Sequence, residues 1–174
     1  GQSGEVCIVP DETGNIEAVL VGAGTRVARN RSRFMLASAA ARLPAGVYTI
    51  SSSHSDLELQ EHALAWLLSH YSFQKYRAAP PHEARLICPD GVDGRSLELI
   101  AAGEALTRDL INTPASDMGP DNLEQAARDL AEHHGAAISV VSGDALLEQN
   151  FPMIHAVGRA ASQTPRLIDL NWGD

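Results

Sequence analysis

Residues 107–120 read Thr-Arg-Asp-Leu-Ile-Asn-Thr-Pro-Ala-Ser-Asp-Met-Gly-Pro, and this stretch decides how the chain divides. An apolar-patterned segment from about Ser96 to Ile111 runs into it, and a second helical pattern leaves it near Asp121. One continuous helix is excluded. Pro114 and Pro120 lack a backbone donor and restrict the residue before them, and Gly119 adds a further break. Asn112, Thr113, Ser116 and Asp117 all have side chains that bond to nearby backbone. On its own chemistry the stretch is a capped joint between two helices.

Working upstream, residues 5–9 (Glu-Val-Cys-Ile-Val) and Ile16 to Val21 read as a β-hairpin closed by the turn residues 10–15, with Gly14-Asn15 suited to positive φ. Cys7 in this apolar run is expected to be buried. Gly22-Ala23-Gly24-Thr25 then leads into a helix expected over 26–43, ended by Pro44 and Gly46. Val47 to Ile50 is a strand. Ser55 with Glu58 makes a capping box for a helix ending near His70. Residues 71–82 form an aromatic, proline-bearing connection, and 84–88 a further strand. This alternation implies an α/β domain with a mixed sheet flanked by helices, spanning 1–92 and expected to lack its first elements, a hairpin being an odd start for a domain.

Downstream, 93–174 begins with the connector helix. Leu123, Ala126, Ala127, Leu130 and Ala131 mark one face, expected to be buried, of a helix over 121–134, with Asp121 as the expected N-cap and Gly135 just past the end. Strands are expected at 137–141 and 167–170, with short helices at 143–148 and 151–161. A strand followed at once by the chain's last residues suits the truncated start of a second α/β domain.

Composition excludes several functions. Thirteen Lys plus Arg against 22 Asp plus Glu give −9, which disfavours binding to nucleic-acid phosphates. Arg26, Arg29, Arg31 and Arg33 cluster, but as a solvated helix face. Two distant cysteines, Cys7 and Cys88, suit a reduced cytoplasmic setting rather than a disulfide framework. No apolar run is long enough to span a bilayer.

Active-site chemistry is hard to find. His54, His62 and His70 are spaced by eight, which on a helix is a rotation of about 80° and a climb of about 12 Å, too far for one ion. His62 lies four residues after Glu58 and suits a surface pair. His133 and His134 diverge, and His155 sits in an apolar stretch as a core or interface residue. There is no Gly-x-Ser-x-Gly, and neither cysteine has an activating neighbour. Gly22 and Gly24 are weak candidates for a nucleotide loop, because the third glycine of a dinucleotide fingerprint is missing.

The sharper signal is a resemblance. Arg108, Asp109, Asn112, Pro114 and Pro120 fall where the leucyl (cytosol) aminopeptidase family has its Arg-Asp-Leu-x-Asn-x-Pro-x-Asn-x-x-x-Pro signature; Ser116 stands where that family usually has asparagine. Residues 151–160 and 165–170 are similar to the helix and first central strand of its catalytic domain. The resemblance implies an N-terminal macro-domain-like α/β domain, a catalytic domain and a hexamer. It also implies release of N-terminal amino acids from peptides by two divalent ions, zinc or manganese. Those ions are held by a lysine, three aspartates and a glutamate, with a second lysine and an arginine assisting. None of these residues carries over, because their motifs begin beyond position 174, and Lys75 is the only lysine. The chain is therefore expected to bind no metal and to be inactive alone, contributing to assembly of a longer cytoplasmic enzyme. A separate expectation is a macro-like module for ADP-ribose, with Gly22 and Gly24 at the phosphates.

Overall fold

A computed structural model describes residues 2–31, 34–51 and 56–173. Arg33, His54 and the Ser55 half of the capping box lie outside the described residues. The chain forms two compact units, residues 1–109 and 110–174.

In the first unit, β1 (Val6–Pro10) and β2 (Ile16–Val21) pair antiparallel. The Asp11 carboxylate organises their turn by accepting from the Thr13 and Asn15 N–H groups and the Thr13 hydroxyl, and Gly14 takes φ 88°. These bonds hold the Asp11 carboxyl below its ordinary value, the Thr13 hydroxyl contributing most. Cys7 is exposed rather than buried, because a lone hairpin leaves a face uncovered.

The single helix expected over 26–43 is two short ones, α1 (Arg26–Arg31) and α2 (Met35–Ala40). Phe34 adopts a left-handed conformation (φ 62°) between them, which no continuing helix permits. β3 (Gly46–Tyr48) pairs parallel with β4 (Ala84–Leu86), with α3 (Asp56–Ser69) between them in sequence. The α/β class expected from the sequence is present, its antiparallel and parallel pairings lying in separate two-stranded sheets.

The core of this unit is built largely of alanine. Ala39, Ala40, Ala63, Ala65 and Ala84 are buried, which lets α2 and α3 pack closely around Trp66. The Trp66 ring lies 5.9 Å from both Tyr48 and His70. His62 is buried in this layer, not on the surface as its spacing from Glu58 suggested. His70 stacks on His82 at 4.9 Å, the two rings nearly parallel.

Helix α4 (Gly94–Asn112) is started by Asp93, whose carboxylate accepts from the Ser96 N–H and hydroxyl. In the second unit, α5 (Pro120–His134) is capped by Gly119, not Asp121: Leu123 N–H returns to Gly119 O at 3.0 Å, and Pro120 takes the first helical position. Asp121 falls in the first turn, where an acidic side chain suits the helix dipole. Gly135 ends the helix in the left-handed conformation (φ 66°), with Ala136 N–H bonded to Ala131 O at 2.8 Å. β5 (Ala137–Ser142) pairs antiparallel with β6 (Arg166–Asn171) over six residues. Between them lie α6 (Ala145–Glu148) and α7 (Pro152–Gly158), the latter shorter than the 151–161 expected. Leu146 of α6 is fully buried.

Candidate functional site

The joint at 107–120 crosses from one compact unit to the other, so its two halves are described separately. In the first unit, the Arg108 guanidinium lies 5.3 Å from the centre of the Tyr71 ring and bonds Glu104 at 3.0 Å. It also donates to the Leu68 carbonyl at the end of α3. The Tyr71 hydroxyl donates to Asp109 at 2.8 Å. The two charged residues of the signature therefore grip one aromatic residue, Tyr71, far upstream in sequence, fixing the last turns of α4 to the end of α3. Tyr71 was not singled out in the sequence, where nothing local marks it.

In the second unit, Asn112 closes α4, and Thr113 is buried. Pro114 starts a tight turn, its carbonyl accepting from Asp117 at 2.8 Å and Met118 at 2.9 Å. Ser116 is exposed at the tip of this turn. Gly119 donates to the Asn122 side chain, and Gln163 reaches back across 42 residues to accept from the Asp121 N–H at 2.9 Å. The Gln163 amide occupies the space that a side chain on Gly119 would need. Arg166 at the start of β6 makes ion pairs with both Asp121 and Glu124. Arg128, and after it Arg166, holds the Glu124 carboxyl below its ordinary value. Each of these interactions ends on protein and orders a turn or a helix end. None presents a nucleophile, a general base or an open anion cradle.

The remaining candidates fare similarly. Gly24 takes φ 65°, but the carbonyl of Gln2 fills the space beside Gly22, and Ser3 packs on Gly24. The backbone that a phosphate would need is covered by the chain's own first residues. Thr25 caps α1, and Arg29 donates to the Gly24 carbonyl. His155 contacts Asp144 at 3.4 Å. His133 and His134 meet edge to face. Lys75 is exposed.

The resemblance implies a pair of divalent ions. Among the described residues, no group of three or more His, Cys, Asp or Glu side chains is placed to hold an ion. That donor set does not fit a two-metal centre. Also among the described residues, no helix is long and apolar enough to cross a membrane.

Comparison with known proteins accounts for both units. Residues 1–89 match the family description "M17 aminopeptidase, N-terminal domain", and residues 105–174 match "Cytosol aminopeptidase family, catalytic domain". A probable cytosol aminopeptidase of Corynebacterium diphtheriae is 30% identical over 185 residues, covering 99% of this chain and 37% of that relative. The crystal structure of a cytosol aminopeptidase from Coxiella burnetii superposes with a TM-score of 0.86 at 35% identity, covering 99% of this chain and 37% of the other. The bottromycin maturation enzyme BotP, solved in complex with Mn, shares the fold at a TM-score of 0.74 and 24% identity, over 99% of this chain and 40% of its own. The chain thus spans little more than a third of the length of the relatives it matches.

Proposed function

The chain belongs to the M17, or cytosol, aminopeptidase family, and from that membership we propose that it is the N-terminal, non-catalytic portion of a metal-dependent enzyme that releases N-terminal amino acids from peptides. The observation that carries this reading is the succession of two family matches on one chain, the N-terminal domain ending at 89 and the catalytic domain entering at 105. The signature at 107–120 lies where the second match begins. We place the boundary between 1–92 and 93–174, with α4 as the connector.

In this reading Arg108, Asp109, Asn112, Pro114, Ser116 and Pro120 are structural. Arg108 and Asp109 anchor the connector to α3, and the other four shape the entry to the catalytic domain. The peptide-cleaving residues and both divalent ions, zinc or manganese, belong to sequence beyond residue 174. The portion described here supports a homohexamer in the cytoplasm. The name "cytosol aminopeptidase" carried by its relatives supports that location.

The test is an assay of leucine-p-nitroanilide hydrolysis with added manganese or zinc, on this chain and on the longer polypeptide that contains it. Hydrolysis by the longer protein alone is the expected result. Hydrolysis by the 174-residue chain would refute the assignment of the chemistry to sequence outside it. A longer polypeptide without metal-dependent activity would refute the proposed parent function.

A further inference from the structure

The crossing from α3 to β4, residues 70–83, has no helix or strand of its own, yet it carries the residue that grips α4. Its two ends are closed on one another by imidazoles. His70, directly after α3, stacks on His82, two residues before β4, with ring centres 4.9 Å apart and planes 4° apart. Trp66 of α3 meets the His70 ring edge to face at 5.9 Å. His70 Nε2 is buried with no hydrogen-bond partner among the described residues. His82 is exposed, so protons reach the pair from that ring. Tyr71 follows His70 in the chain. Its N–H and the Arg108 guanidinium both donate to the Leu68 carbonyl, at 3.5 and 3.4 Å, and its hydroxyl holds Asp109. The stack and the grip on α4 thus meet at one helix end.

Two neutral imidazoles suit this arrangement, and two imidazolium ions do not. Like charges in a partly buried pair are poorly screened, and each disfavours a proton on the other. A proton on the buried Nε2 would also add a donor with nothing to receive it. The surrounding charges give little relief. A cavity of about 390 Å³ beside the rings is lined by Arg85 of β4, Cys88 beyond it and Glu98 of α4. Arg85 and Glu98 are of opposite sign, so their effects on the pair oppose one another. Glu83, next to His82, is exposed to water. Arg108 already places one cation at the end of α3, so a charged His70 would be a second. In keeping with this, burial and then the His82 ring hold His70 below its ordinary value of 6.5.

We propose that the His70–His82 stack is a proton-operated latch, closed while both rings are neutral and opened when the pair takes up a proton. Closed, it fixes residues 71–82 and with them the Tyr71 grip on Arg108 and Asp109. Open, it frees that crossing and loosens the last turns of α4. The alanine layer between α2 and α3 does not depend on the stack, so it stays packed. The opening is therefore local, confined to the crossing and to the helix that it holds.

Histidine ring protons followed by NMR, together with amide exchange corrected for its intrinsic pH dependence, test this on the 174-residue chain. As His70 titrates, the amides of residues 71–79 and of the last turns of α4 should lose protection by about tenfold or more, while those of residues 60–67 in α3 keep theirs. His70→Phe keeps a ring against Trp66 and His82 but takes no proton, so its crossing should stay protected at acid pH. His82→Phe covers the case in which that variant does not fold: it leaves His70 a ring to stack on, and loss of the neighbouring charge should raise the His70 midpoint. Unchanged protection of residues 71–79 while His70 titrates would overturn the latch, as would an equal loss in His70→Phe or an unmoved midpoint in His82→Phe. Simultaneous loss in α2 and α3 would also overturn it, because that is acid unfolding of the whole unit.

Discussion

Replacing Trp66 by phenylalanine should leave the first unit as stable as before, or stabilise it, although the residue is 4% exposed at the centre of the core. Two effects oppose one another. The smaller ring removes roughly 40 Å³, which at about 24 cal/mol per Å³ of residual cavity costs about 1 kcal/mol. Against this, the indole Nε1 is buried with no hydrogen-bond partner among the described residues, and an unsatisfied buried donor costs about 1–3 kcal/mol. Phenylalanine removes that donor and keeps an aromatic ring against Tyr48 and His70. The net change therefore runs from about zero to about 2 kcal/mol of added stability. Trp66→Ala keeps neither ring nor volume and should lose about 3–5 kcal/mol.

Urea unfolding followed by far-UV circular dichroism measures both variants. The only other tryptophan, Trp172, is in the second unit and 79% exposed. In either variant its fluorescence reports the second unit alone, and that transition should not move. A loss of about 2 kcal/mol or more for Trp66→Phe would refute the reasoning, because it would mean that Nε1 makes a bond worth keeping.

Acidification should weaken the first unit through His70, whose pKa is lowered from its ordinary value of 6.5, first by burial and then by His82. The unfolded chain binds this proton more readily, so stability is complete above about pH 6.5 and falls as pH drops below it toward the folded-state value. His70→Gln should flatten that slope in melts taken between pH 5 and 7, and an unchanged slope would assign it to other groups. Two glycines should respond in opposite directions to alanine. Gly103→Ala, in open space on α4, should stabilise by about 0.5–1 kcal/mol. Gly135→Ala should cost about 1–2 kcal/mol, although nothing lies within 4 Å of its missing Cβ, because its φ of 66° is left-handed. Chemical denaturation of each single variant reads the sign directly.

The parts of the fold visible in the sequence are those encoded locally. The span of α5, the Gly135 stop and the Asp11–Asn15 turn each need only a few neighbouring residues, and the structure forms them at or near the expected positions; of the α5 face expected to be buried only Ala131 is, Leu123 and Leu130 being exposed. What escaped prediction depends on contacts distant in sequence. Phe34 breaks α1 from α2 although no proline or glycine stands there. Gly119 displaced Asp121 as the cap of α5, with Gln163 and Arg166 holding that first turn from more than 40 residues away. Cys7 looked buried because its strand is apolar, and is exposed because one partner strand cannot cover both faces. At the joint, the residue types were legible as turn formers. The grip of Arg108 and Asp109 on Tyr71 was not, because nothing near Tyr71 announces it.

The alanine-rich layer between α2 and α3 bears on how this sequence can drift. At Ala39, Ala40 and Ala65, each at most 1% exposed, any larger side chain must push two helices apart, so even a conservative enlargement is an overpacking change. Val47 and Leu20 look permissive by comparison, exposed as they are in the chain taken alone. A substitution survey of the isolated chain would then rank alanines above valines in constraint. The same survey of the intact protein should restore constraint at those exposed aliphatic positions while leaving the alanines where they were, so that the difference between the two maps traces the surface on which the rest of the polypeptide rests.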